Sequence, residues 1–135
     1  VLFRSYFAEI RDLRVSAHLF VQRDGGLVQF VPFNRRAWHA GTSSFRDREN
    51  CNDFSIGIEL EGDDETPYAD SQYDTLIGVI AALETTYTSV CARRVAGHCD
   101  VAPARKSDPG PAFDWLRLYD GLYASGLRQR DIQET

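Results

Sequence analysis

The sequence predicts an α/β fold, a mixed β-sheet flanked by α-helices, and three stretches carry the expectation. Residues 15–22 alternate, with Val15, Ala17, Leu19 and Val21 on one face and Ser16, His18, Phe20 and Gln22 on the other. Residues 54–60 alternate again: Ile56, Ile58 and Leu60 point one way, and Ser55, Gly57 and Glu59, followed by Glu61, point the other. Residues 71–87 place Tyr73, Leu76, Ile77, Ile80, Leu83 and Tyr87 at spacings of three and four, the period of an amphipathic helix. Strands mixed with helices bury their apolar faces by packing helices on the sheet.

The elements follow in order. After the first strand, Arg23-Asp24-Gly25-Gly26 signals a hairpin. The returning strand covers residues 27–31 and ends at Pro32. Residues 34–53 read as a polar loop, unusually long for a small domain and therefore a functional candidate, with Trp38 and His39 inside it. In the strand at 54–60, Gly57 leaves the surface beside Glu59 without a side chain, giving room for a ligand. The helix at 71–87 opens with Ser71 and Asp74 in the pattern of a capping box. A short strand at 94–97 leads to His98, and residues 99–112, with three prolines, read as an ordered loop. A second helix is expected at 113–122, burying Phe113, Leu116 and Tyr119. The domain is placed at 1–124, with 125–135 a polar tail.

Composition bounds the function. At 135 residues, 43% hydrophobic and 26% charged, the chain suits one globular domain. Its net charge, 15 − 20 = −5, argues against nucleic acid as a partner. No apolar run approaches the roughly 20 residues that span a bilayer. The three cysteines, Cys51, Cys91 and Cys99, are odd in number and lack C-x-x-C spacing, which fits free thiols in the cytoplasm. The chain contains no methionine, and the expectation is that an opening part of the domain is absent.

The densest chemistry lies in residues 97–111, Gly-His-Cys-Asp-Val-Ala-Pro-Ala-Arg-Lys-Ser-Asp-Pro-Gly-Pro. Lys106 and Asp108 stand two apart and face one side if the chain there is extended. An imidazole with a carboxylate binds zinc, and a catalytic site keeps one position open for water. A carboxylate such as Glu59 could take that water's proton, and an ammonium such as Lys106 could stabilise an oxyanion. The set suits metal-assisted amide hydrolysis. Taken singly, each residue has a plainer reading. His98 could be a hydrogen-bonded structural residue, Asp108 turn chemistry before Pro109, Glu59 part of a solvated sheet face, Lys106 an exposed cation, His18 a sheet-face residue and Trp38 core. A structural site using His98 with Cys99 fits poorly, because adjacent residues of an extended segment point apart.

Together, residues 14–41, 51–62 and 97–111 resemble AmpD-type N-acetylmuramoyl-L-alanine amidases, within the type-2 amidases that share a fold with peptidoglycan recognition proteins. The resemblance covers residues 6–122. It implies a cytoplasmic zinc enzyme of cell-wall recycling that cuts the amide between (1,6-anhydro-)N-acetylmuramic acid and the L-alanine of a stem peptide. His98 in G-H-C and Asp108 in K-x-D-P-G-P match zinc ligands, Glu59 in I-G-I-E the catalytic carboxylate, and Lys106 the transition-state lysine. Arg14, Trp38 and His39 fall where the family lines its substrate groove, and Arg14 and Arg105 suit a stem peptide's carboxylates. The family's first zinc ligand is a His upstream of R-V-S-A-H, and no His precedes Arg14 here. The third ligand is therefore absent or supplied by His18 or His39. The partner expected is a small muropeptide, bound by a monomer. The alternative is a non-catalytic module that binds peptidoglycan fragments, although a pure binder needs neither Glu59 nor Lys106.

Overall fold

The computed structural model describes residues 17–63 and 65–125. Its main sheet has the order β2-β1-β5. β1 (Leu19–Val21) turns back antiparallel onto β2 (Leu27–Gln29), pairing Phe20 with Val28, and runs parallel to β5 (Ile58–Leu60), pairing Phe20 with Glu59. The predicted mixed sheet is present, with shorter strands than the alternation suggested.

The hairpin forms where Asp24-Gly25-Gly26 places it. Gln22 N–H bonds to Gly26 O at 2.7 Å, and Gly25 takes a φ of 88°, a region that favours glycine. The turn rests on α1 (Asp70–Thr86), where Ser71 Oγ donates to Arg23 O and Thr75 Oγ1 donates to Gly25 O. That contact displaces the expected capping box. Ser71 is occupied with the hairpin, and Gln72 Oε1 instead accepts the Ala69 N–H at 2.9 Å at the helix start.

One face of the sheet, carrying Leu19, Val21, Ile58 and Leu60, packs against Tyr73, Leu76, Ile80 and Leu83 of α1 and against Leu118 and Leu122 of α3 (Trp115–Ala124). The opposite face is buried too, by Phe20, His18 and Glu59, so alternation here separates two covered faces rather than core from solvent.

Three further expectations are corrected. Residues 34–53 are not structureless: a small ribbon, β3 (Ser44–Phe45) with β4 (Arg48–Glu49), and a 3-10 turn at Cys51–Asp53 order their second half. No strand forms at 94–97; a 3-10 turn at Ala92–Arg94 leads there, and His98 opens a short helix, α2 (His98–Val101), where a loop was expected. The cause is local: Asp100 Oδ2 accepts the Gly97 N–H at 2.7 Å and nucleates the turn. The last helix starts two residues late, because Asp114 Oδ1 caps it by accepting the Arg117 N–H at 3.0 Å. Its buried stripe is therefore Leu118 and Leu122, while Leu116, expected inside, is 71% exposed. Phe113 precedes the helix and packs edge-on against Tyr68 and Trp115.

The re-phased helix makes a paired prediction. Leu118→Ala should cost about 2–5 kcal/mol, and Leu116→Ala should stay within about 0.5 kcal/mol. Urea midpoints with unchanged slopes would check both; equal losses would contradict the phase.

Candidate functional site

The site is built on backbone that turns tightly between Gly97 and Gly110. Asp108 O accepts the Cys99 N–H at 2.9 Å, which folds residues 99–108 back onto the start of α2. Tyr68 Oη donates to Pro109 O at 3.0 Å and ties the turn to the residue pair preceding α1. Lys106 N–H bonds to Ala102 O, which turns the chain back over residues 102–106; Lys106 is half-buried and Asp108 is 3% exposed.

This folding brings His98 and Asp108 together. His98 is 9% exposed, and its Nδ1 lies 3.1 Å from Asp108 Oδ2. Its Nε2 lies 3.0 Å from Ala40 O. A carbonyl only accepts, so Nε2 carries the hydrogen. In a neutral imidazole Nδ1 then offers a lone pair towards a carboxylate oxygen. Two acceptors this close need a proton or a cation between them. The donor types and the backbone-held second nitrogen fit two arms of a zinc site. Among the described residues, no third His, Cys, Asp or Glu joins them.

The Ala40 carbonyl belongs to a loop that lies across the sheet. His39 packs its ring over Gly57, where an added Cβ would sit 2.3 Å from the imidazole. The space beside Glu59 foreseen for a ligand is therefore filled by His39 at Gly57. Ser55 Oγ lies 3.2 Å from His39 Nε2. His18 is tied at both nitrogens: Nδ1 accepts the Gly57 N–H at 3.1 Å, and Nε2–H donates to Arg35 O at 2.8 Å. Desolvation lowers the His18 pKa, against a raising effect from the Arg35 carbonyl. Desolvation, then the neighbouring His18, pushes His39 down to about 4. Both rings are neutral at pH 7. His18, His39, Ala40, Gly57, His98 and Pro109 all wall one cleft of about 890 Å³.

Glu59, Trp38, Lys106 and Arg105 are not among the residues that wall this cleft. Glu59 is buried on the Gly57 face of β5. Trp38 is 43% exposed, with the Arg36 guanidinium 4.1 Å from its ring centroid, so it is a surface platform and not core. Arg105 Nη2 donates to Ala40 O at 2.7 Å and Thr42 O at 3.0 Å. Arg14 lies outside the described residues. The sequence reading missed Asn52, which is buried and accepts the His39 and Ala40 N–H groups at 3.0 and 2.8 Å. It also missed the Ala40 carbonyl. A backbone acceptor leaves no mark in a sequence, and Asn52 reads as one more polar loop residue.

Comparisons with known proteins agree on one family. Residues 2–111 match the model of the N-acetylmuramoyl-L-alanine amidase family Amidase_2. The 1,6-anhydro-N-acetylmuramyl-L-alanine amidase AmpD of Escherichia coli K12 is 60% identical over 113 residues, 84% of this chain and 61% of that protein. The crystal structure of a selenomethionine derivative of AmpD superposes with a TM-score of 0.79 at 56% identity, covering 88% of this chain and 66% of that one. The Escherichia coli amidase AmiD, solved in complex with its substrate anhydro-N-acetylmuramic acid-L-Ala-D-γ-Glu-L-Lys, superposes at 0.78 with 31% identity, covering 87% and 53%. The chain thus spans about 61% of the length of the Escherichia coli AmpD it matches.

The two neutral histidines set a pH dependence. Unfolded, His39 takes a proton near its ordinary 6.5; folded, only near about 4. Below pH 6.5 the unfolded chain binds the extra proton, so stability falls as pH drops towards 4 and is unaffected by this group above pH 7.5. We expect a loss of about 2 kcal/mol from His39 between pH 8 and pH 5. Thermal melts across that range should show the fall, and His39→Gln should flatten much of it. A wild-type melting temperature that does not fall would refute the neutral assignment.

Proposed function

Because this chain belongs to the N-acetylmuramoyl-L-alanine amidase family, we propose that it hydrolyses the amide bond between (1,6-anhydro-)N-acetylmuramic acid and L-alanine in peptidoglycan fragments, as a step of cell-wall recycling. The observation that carries the reading is the buried His98–Asp108 pair, with Nδ1 and Oδ2 at 3.1 Å and the second ring nitrogen held by a carbonyl. These two residues would hold zinc. When bound, zinc supplies positive charge that acidifies water and polarises an amide carbonyl.

The chain's own groups do the rest. Glu59 takes the proton of the attacking water and passes it to the leaving alanine nitrogen. Its burial on β5 keeps that carboxylate in one orientation. Lys106 carries a positive charge that faces the oxyanion of the tetrahedral intermediate. Arg14, Trp38, His39 and Arg105 contact the substrate, the arginines through the stem peptide's carboxylates and Trp38 through the exposed face of its ring. No third His, Cys, Asp or Glu among the described residues joins His98 and Asp108; His18 uses both ring nitrogens on backbone, and His39 packs over Gly57 with its Nε2 beside Ser55 Oγ. The partner is a small muropeptide met by a monomer in the cytoplasm. No helix among the described residues is long and apolar enough to cross a membrane.

The test is made on the purified chain supplied with zinc and an anhydromuropeptide, with mass spectrometry of the products. Release of the free peptide is expected. Glu59→Gln should lower kcat by roughly 10²–10⁴-fold with zinc content unchanged. His98→Ala and Asp108→Ala should each lose the metal in elemental analysis after gel filtration. Fragment that binds without being cut would turn the reading to a non-catalytic binding module. Zinc retained at full stoichiometry in both ligand variants would sink the assignment of the site.

A further inference from the structure

The Ala40 peptide is gripped from both sides. Its carbonyl oxygen accepts from His98 Nε2 at 3.0 Å and from Arg105 Nη2 at 2.7 Å. Its N–H, together with the His39 N–H, is accepted by Asn52 Oδ1. An amide oxygen has two lone pairs, and Asn52 commits both to consecutive backbone donors. Arg105 adds a second grip on Thr42 O at 3.0 Å. Gly41, between the two gripped carbonyls, takes a φ of 62°, and a Cβ there would lie 2.7 Å from Arg105 Nη2. A side chain at position 41 would push the guanidinium off.

We infer that Asn52 and Arg105 are positioning residues that fix the Ala40 carbonyl and, through it, hold the His98 ring by its Nε2–H with Nδ1 facing Asp108. The competing arrangement is at hand. With the hydrogen on Nδ1, His98 would donate to Asp108 Oδ2 at the same 3.1 Å, and neither atom would then face the other open to a cation. A carbonyl held in place at Nε2 opposes that state; a carbonyl free to swing does not. Asn52 holds the amide and Arg105 the oxygen, so the two act on one peptide from opposite ends. The inference rests on the amidase reading only for the use made of the open Nδ1.

The experiment uses the full chain labelled with ¹⁵N in its three histidines. One readout is the hydrogen-bonded His98 Nε2–H proton in the metal-free protein, by NMR. The other is zinc affinity by chelator competition. Asn52→Ala should lose the protected Nε2–H signal and weaken zinc binding by about 10–100-fold. Asn52→Asp, which keeps an accepting oxygen in place, should retain both. Arg105→Ala and Gly41→Ala should move both readouts in the same direction by less, and they carry the test if Asn52→Ala does not fold. Unchanged signal and affinity in Arg105→Ala and in a folded Asn52→Ala would overturn the inference, as would an Asn52→Asp no better than Asn52→Ala. A wild type without the Nε2–H proton overturns it whatever zinc does. A wild type that shows the proton, loses it in Asn52→Ala, and releases no peptide from a zinc-supplied anhydromuropeptide supports the positioning role and overturns the amidase reading alone.

Discussion

A single peptide carbonyl, that of Ala40, is the point where the separated parts of the site meet. It joins the loop after β2 to His98, 58 residues on, and to Arg105, 65 residues on. The constraint behind it is general. A loop that crosses a buried region brings backbone N–H and C=O groups with it, and each must find a partner. A strand meets that need with a neighbouring strand. The segment at 39–42 has none, so side chains do the work: Asn52 for the donors, His98 and Arg105 for the acceptor. Satisfying the loop and orienting the site are therefore the same set of hydrogen bonds.

The sheet beneath the loop is shaped by the same requirement. β1 is flanked by β2 and β5 and covered on both faces, so polar groups on the inner positions of the second face are buried with the apolar ones. His18 answers this by bonding backbone at both ring nitrogens. Gly57 answers it by having no side chain, which lets the His39 ring pack against the strand. Two uncharged imidazoles, His18 and His39, wall one cleft together with His98, and the Glu59 carboxylate is buried on β5. Burial that would be costly for unpaired charges is tolerable because His18 and His39 are neutral and hydrogen-bonded.

Much of this could be read before any coordinates. The two strands, the long helix at Asp70–Thr86 and the hairpin at Gly25 all declare themselves, because period and turn chemistry are local properties. The errors have specific causes. Ser71 left the expected cap because a turn residue 48 positions earlier, Arg23, took its hydroxyl. Leu116 was placed inside by a stripe that counted Phe113 as helical, but Asp114 caps the helix, so Phe113 lies before it and the buried stripe runs through Leu118 and Leu122. The ribbon within residues 34–53 was missed because its two strands are two residues each, too short for any periodicity to show.

The sequence by itself determined the fold class, the family resemblance and the presence of His98, Asp108, Glu59 and Lys106 in their motifs. These are matters of residue type, spacing and period along the chain. Only the tertiary structure decided which nitrogen of His98 faces Asp108, that His39 fills the space over Gly57, and that Asn52 holds the loop. Those outcomes rest on backbone carbonyls and amides brought to side chains across 12 to 65 residues of chain. Every residue carries the same carbonyl, so nothing in the lettering of a sequence marks the one that matters.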